Sequence, residues 1–303
     1  MVFPDAWIRS SPQKSHGDNN LLTADLHSHT VYSDGSDTPE EVLEKAGTLR
    51  LNFWALTDHD TLHWLSRPGR ALYETSRKRG VCFVRGVELS TRDESSGKKA
   101  HILGYWPGNE EVSAPRVKAL CRTMSQRRTQ ATLTQISILR SKGYDISEAE
   151  VRAVSAGDQL FKQDILKAMV EKNLFAEDFR DFYRLHFKKG GDCYQRIQYI
   201  PCVSAVEAIV RDGGFAVLAH PGQQDNLHIL PDLKDAGLWG IEMRHPTHNA
   251  EYREKVGKAA KEYSLYMTGG SDYHGIFHPD RELGHYLMRG EEVEALRDAG
   301  LFL

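Results

Sequence analysis

From Leu21 onward, short apolar runs alternate with amphipathic stretches of helical period. Leu22–Leu26, Phe53–Thr57, Val81–Val87, Ala100–Tyr105, Phe215–Ala219, Trp239–Met243 and Leu265–Gly269 read as strands. Asp93–Lys98 reads as a turn, which makes the third and fourth strands a hairpin and breaks strict βα alternation. One helix is expected to open at Thr38-Pro39-Glu40-Glu41, where Thr38 and Glu41 can form a capping box and Pro39 suits the first turn. Further helices are expected over Gly69–Arg79, from a second capping box at Ser204 and Glu207 to Asp212, and over Leu230–Ala236, Ala250–Tyr263 and Glu291–Ala299. Residues 115–190 show no strand pattern and read as helices over Pro115–Lys142, Gln163–Leu174 and Ala176–Lys188. The pattern predicts an α/β fold of about seven strands, in a barrel-like body broken by a helical module. The body spans residues 21–108 and 201–303, the insertion 109–200, and residues 1–20 read as a loose leader.

Composition narrows the possible partners. A net charge of −3 argues against coating nucleic acid by charge alone. Cys82, Cys121, Cys193 and Cys202 form no close pair, so neither a cysteine zinc site nor a disulfide framework is supported, which fits a reducing compartment. No apolar stretch reaches membrane-spanning length, and the leader lacks the apolar core of a signal peptide. The expectation is a cytoplasmic protein with no membrane partner and no evident protein partner.

Polar chemistry collects where apolar runs end. His27 and His29 are two apart, so an extended segment places both on one face, where two imidazoles can share a metal ion. Taken alone, the pair is equally consistent with two hydrogen-bonded histidines. Asp34 follows in Tyr32-Ser33-Asp34-Gly35, a turn. Thr57-Asp58-His59-Asp60 ends the second strand, with His59 the ligand candidate and Asp58 a carboxylate that could orient an imidazole. Glu88 ends the third run and can bridge two cations; His101 opens the fourth; His220 closes the fifth; Asp272 and His274 follow the last. Strand ends converge on one cavity in barrel folds, so these residues point together to a site for Mn²⁺, Fe²⁺ or Zn²⁺.

The ordered set DLHSHT, SDG, TDHD, GVELS, HILGY, AHPG and SDYH resembles the PHP (polymerase and histidinol phosphatase) superfamily of metal-dependent phosphoesterases. The resemblance runs over Leu21–Trp106 and about Val203–His274. It implies a distorted (β/α)7 barrel with an inserted α-helical domain and a cluster of two or three divalent ions. His27, His29, Glu88 and Asp272 would hold one ion, Asp34, His59 and His274 a second, and Glu88, His101 and His220 a third. The long insertion resembles the branch that cuts nucleotide phosphates, so the implied reaction is hydrolysis of a phosphomonoester by a metal-activated water. The implied substrates are 3′,5′-bisphosphonucleotides or the ends of short oligonucleotides. Two departures concern substrate contacts. Phe161-Lys162-Gln163-Asp164 stands where relatives carry Gly-Arg-Pro-His, and Arg244-His245-Pro246, followed by His248, where they carry Tyr-His-Pro.

Arg127, Arg244, His245 and His248 are the candidate substrate contacts, although Arg127-Arg128 read more readily as a solvated helix face and Arg244 reads equally as a surface arginine. No residue beyond the metal ligands stands out as catalytic. The rival readings are a phosphatase for a small ester such as histidinol phosphate, and a nucleic-acid-binding module without turnover. A metal-dependent amidohydrolase is a third, weakened because no lysine stands among the strand-end motifs.

Overall fold

A computed structural model describes residues 21–108, 111–175 and 178–302. The leader read over residues 1–20 and the first two residues of the helix expected from Ala176 lie outside the described residues. The sheet comprises β1 (Thr23–Asp25), β2 (Phe53–Leu56), β3 (Cys82–Arg92), β4 (Lys99–Trp106), β5 (Ile200–Pro201), β6 (Phe215–Ala219), β7 (Gly240–Arg244), β8 (Tyr266–Gly269) and β9 (Met288–Arg289). Helices α1 (Pro39–Thr48) and α2 (Arg67–Lys78) follow β1 and β2. The insertion supplies α3 (Pro115–Ser141), α4 (Glu148–Val154), α5 (Lys162–Glu171) and α6 (Phe179–Phe187). The second half adds α7 (Cys202–Arg211), α8 (Pro221–Gln224), α9 (Leu230–Asp235), α10 (Ala250–Glu262) and α11 (Glu291–Asp298).

Seven strands match the expected runs. The additional two, β5 and β9, are two residues long and too short for alternation to register. The capping box at Thr38 forms as expected, with Glu41 N–H donating to Thr38 Oγ1 and Thr38 N–H to Glu41 Oε2. The one expected at Ser204 does not form. Helix α7 already starts at Cys202 behind Pro201, which leaves Ser204 inside its first turn.

The strands run in the order β8-β7-β6-β4-β3-β2-β1-β9, with β5 beside β3. β1, β2 and β3 are mutually parallel, as are β6, β7 and β8. β4 runs antiparallel to both β3 and β6. That reversal brings the start of β4 to the end of the sheet where β6 finishes, so His101 lies opposite Ala219. The sheet curls until its ends meet. Leu26 N–H donates to Gly269 O at 3.1 Å, and Ser28 bridges Tyr273 in parallel register. The result is a distorted (β/α)7 barrel.

Burial separates the apolar side chains into three groups. Trp54, Val87, Ile102, Ile209, Leu218 and Ile241 belong to the layer between sheet and helices. Leu26, Ala55, Leu103, Tyr105 and Val217 pack on the opposite face of the strands with Val293 and Leu296 of α11. The helical insertion has its own cluster, including Ile136, Leu139, Leu160, Ile165, Met169 and Phe182.

Asp25 secures the closure from inside the protein. Its carboxylate accepts from Ser271 N (2.9 Å), Ser271 Oγ (2.7 Å) and Gly284 N (2.8 Å) and is fully buried. Burial raises its pKa, and those donors oppose the rise. In Asp25→Asn an amide NH2 must face one of these donors. The expected loss is about 1–3 kcal/mol, the cost of an unmet buried polar group, measured as a lower urea midpoint with an unchanged slope.

Candidate metal centre

Glu88 lies at the middle of the site, although β3 continues beyond it. Its Oε2 is 3.1 Å from His27 Nε2, 3.1 Å from His29 Nε2 and 3.3 Å from His59 Nδ1. Its Oε1 is 2.7 Å from His101 Nδ1 and 2.8 Å from His220 Nε2. One carboxylate thus faces five imidazoles that arrive from four stretches of the chain. The expected shared face of His27 and His29 is realised, with ring centroids 5.2 Å apart and both side chains buried.

Two further carboxylates complete the cluster. Asp272 Oδ1 lies 3.4 Å from His27 Nε2 and 3.3 Å from His29 Nε2. Asp34 Oδ1 lies 3.3 Å from His274 Nε2 and 3.9 Å from His59 Nε2. All nine expected ligands therefore meet in one place. His27, His29, Glu88 and Asp272 form one group of convergent donor atoms, and His29, Asp34, His59 and His274 a second. A third joins His59, Glu88 and His101, and His220 groups with His245 and Asp272.

The backbone is bent to achieve this. His220 and Asp272 adopt φ values of 25° and 48°, which non-glycine residues seldom take. Gly270 passes so close to β1 that a Cβ there would meet His27 N at 2.4 Å. Gly270 is thus required where the last strand hands over to Asp272.

The donor set fits divalent cations. His29 Nε2, Asp34 Oδ1 and His59 Nδ1 are buried and find no hydrogen-bond partner among the described residues, an expensive arrangement without a ligand. Imidazole nitrogen mixed with carboxylate oxygen suits borderline and hard divalent ions. The electrostatics agree. Burial works against ionisation of Glu88, Asp34 and Asp272, yet the facing histidines hold all three well below the usual carboxylate range. His29 is disfavoured as a cation by burial but is lifted to about 10 by Asp272 and Glu88. His59 is pushed down to about 3 by burial, against the pull of Glu88 and Asp34.

The remaining expected residues are distributed unevenly. Asp58 does not orient an imidazole directly. Its oxygens accept from Thr30 N (2.7 Å), Thr30 Oγ1 (2.7 Å) and Ser33 Oγ (2.6 Å), which fixes the turn carrying Asp34. His245 is buried, and its Nε2 lies 3.1 Å from Asp272 Oδ2, so it backs a ligand. His248 is committed to backbone, with Nδ1 on Met243 O and Nε2 on Gly222 N, both at 2.9 Å. Arg244 is held by Glu292 at 3.0 and 3.1 Å, and Arg127 donates to Gln198 O at 2.6 Å. None of these three reaches the ligand cluster in this arrangement. Arg128 is the residue that turns inward, pairing with Asp60 and Ser90. Glu242 and Arg281 were not expected. Glu242 is bonded to His27, and Arg281 pairs with Asp272.

The PHP domain model matches residues 25–209. The chain belongs to the PHP domain family. It is a metal-dependent phosphoesterase, a hydrolase. It is 42% identical over 257 residues to the phosphoribosyl 1,2-cyclic phosphate 1,2-diphosphodiesterase of Eggerthella lenta, spanning 84% of this chain and 95% of that one. It is 28% identical to a 3′,5′-nucleoside bisphosphate phosphatase of Chromobacterium violaceum, over 88% and 92% of the two chains. A crystal structure described as a metal-dependent phosphoesterase from Bifidobacterium adolescentis superposes with a TM-score of 0.78 at 26% identity, covering 91% of this PHP chain and 96% of that one.

Stripped of metal, this PHP chain should have a stability optimum near pH 6.5. His29, raised to about 10, contributes stability that is complete below 6.5 and lost as pH rises through 10. His59, lowered to about 3, costs stability as pH falls from 6.5 toward 3, because only the unfolded chain then takes up its proton. Melting temperatures of chelator-treated protein across this range test it. Restored Mn²⁺ should flatten the alkaline decline, and an unchanged alkaline limb would contradict the charge balance described.

Proposed function

We propose that this enzyme hydrolyses a phosphate ester on a pentose or nucleotide that carries a second phosphate, using two or three bound Mn, Fe or Zn ions. The observation that carries this reading is a cavity of about 450 Å³ beside the ligand cluster. Arg92, Lys99, Arg128, Lys162 and Arg196 line it, with Asp34 the one acid among its lining residues. Arg92, Lys99, Lys162 and Arg196 make no ion pair among the described residues. Burial pulls the Lys162 ammonium below its usual pKa, and Asp34 resists. Clustered cations in a recess create a strong demand for an anion.

Asp34 joins the two regions, since it belongs both to the ligand cluster and to the cavity wall. An ester held at the cluster would therefore point its other phosphate toward Lys162 and Arg128. The names of the Eggerthella and Chromobacterium relatives share this chemistry, phosphate at two places on a pentose. The different substrates in those names leave the cyclic phosphodiester and the open bisphosphate as two candidates to compare.

Divalent ions, when bound, polarise phosphoryl oxygens and lower the pKa of coordinated water toward neutrality. The protein's part is positioning. Glu88, Asp272 and Asp34 would hold the ions, Gln163 steadies Asp34 through a contact of 3.4 Å, and Gln159 Nε2 donates to His59 O at 3.3 Å. The insertion thereby touches the segments carrying two ligands. Four free cysteines fit the cytoplasmic placement that we retain.

The test is hydrolysis of four substrates, read as ring-opened bisphosphate and free phosphate for a phosphoribosyl cyclic phosphate, as phosphate for a nucleoside 3′,5′-bisphosphate and histidinol phosphate, and as phosphate or mononucleotide for a 5′-phosphorylated short RNA. The doubly phosphorylated pentoses should be preferred. Lys162→Met should raise their KM roughly tenfold or more, the worth of one charge-assisted hydrogen bond of about 1.5–3 kcal/mol. It should barely affect p-nitrophenyl phosphate. Equal effects on all esters, or a preference for histidinol phosphate, would sink the two-phosphate reading.

A further inference from the structure

The histidines around Glu88 differ in what holds their second nitrogen. His220 Nδ1 meets Gln224 Oε1 at 3.0 Å, and His274 Nδ1 meets the Asp272 carbonyl at 2.7 Å. His29 Nδ1 meets Ser33 Oγ at 3.5 Å and lies 3.8 Å from Asp34 Oδ1, beyond hydrogen-bond distance. His27 is the one whose far nitrogen meets a carboxylate within hydrogen-bond distance among the described residues. Its Nδ1 lies 3.0 Å from Glu242 Oε1, while Nε2 faces Glu88 and Asp272.

The other Glu242 oxygen is also engaged. Oε2 accepts from the backbone N–H of His220 at 2.8 Å. His220 is the residue bent to a φ of 25°, so this bond falls where the backbone needs support. Glu242 is 1% exposed and lies within β7, between Ile241 and Met243, on a rigid strand rather than a loop. One carboxylate therefore touches two ligand residues, the imidazole of His27 and the main chain of His220.

We propose that Glu242 is a positioning residue for the metal centre, which keeps the His27 proton on Nδ1, leaves the Nε2 lone pair for an ion, and holds His220 in its bent conformation. The argument is one of donors and acceptors. Both partners of Glu242 present N–H groups, and an ionised carboxylate has two oxygens to receive them. A glutamine of the same shape has one oxygen and an NH2 group. If its oxygen serves His220, its NH2 must donate to His27 Nδ1, which moves the ring proton to Nε2 and blocks the ion. If its oxygen serves His27, the NH2 confronts the His220 N–H. Either way one ligand is displaced or blocked.

The inference depends on the metal centre and not on which phosphate ester is cut, so it can fail independently of the substrate reading. Glu242→Gln is tested by metal content and by competition with a chelator for Mn²⁺ and Zn²⁺. The expected outcome is an affinity lowered about 10- to 100-fold for at least one ion, the usual effect of removing such a partner. A second measurement needs no variant. In Zn²⁺-loaded wild-type protein, nitrogen-15 spectra should show the His27 ring protonated at Nδ1 and metal-bound at Nε2. Wild-type metal affinity in Glu242→Gln would overturn the proposal. So would a His27 ring protonated at Nε2 or bound through Nδ1, whether or not the variant folds.

Discussion

The site is organised around a single ionised carboxylate, Glu88, enclosed by five imidazoles and 1% exposed. A buried anion is tolerated only when it is paired or bound to a cation. Here every potential partner is a histidine, a group that serves equally well as a proton carrier or as a metal ligand. The surrounding architecture follows from supplying those histidines at matching depth. The hairpin of β3 and β4 reverses the chain to bring His101 alongside, and the bent main chain at His220 brings another ring in from β6. The barrel closes so that β1 and β8 can present His27, His29 and Asp272 together.

Much of this was legible because the ligands follow apolar runs, and strand ends converge whatever the details of packing. Residues that depend on a neighbour distant in sequence were harder to find. Glu242 sits in Gly240-Ile241-Glu242-Met243, where it reads as one polar position in an apolar strand. The signal that could have exposed it is the cost of burying a carboxylate between Ile and Met without a partner. Arg127 and Arg128 illustrate a second limit. Helical geometry rotates consecutive side chains by about 100°, so one of the pair faces the site while the other bonds Gln198 O. Sequence period alone could not choose between them along an insertion helix whose packing partners were unknown. The Ser204 capping box failed for a related reason: Pro201 opened the helix early.

The helical insertion and the barrel divide the work at Asp34. The barrel supplies the nitrogen-rich ligands, and the insertion supplies Arg128, Lys162, Gln159 and Gln163 against the same rim. Family membership explains the first group, since its motifs stand in order along the chain. The second group includes residues of the stretch Phe161-Lys162-Gln163-Asp164 at the start of α5. Under the proposed reading the ligands come from the barrel, while the cations that would meet a second phosphate come from the insertion together with Arg92 and Lys99 of the barrel strands.

The Asp25 latch has a consequence for how the enzyme comes into being. Asp25 and Ser271 are 246 positions apart, and His27 and Asp272 lie beside them. A chain emerging from the ribosome carries His27, His29 and Glu88 long before Asp272, the other carboxylate that faces both rings, exists. Contacts of such long range are formed late, because the intervening chain must first be ordered. The ligand cluster is thus complete only once the chain has been made through His274, and a product ended earlier would lack Asp272 and His274. An ion held jointly by His27, His29 and Asp272 would require segments about 240 residues apart to be in place together.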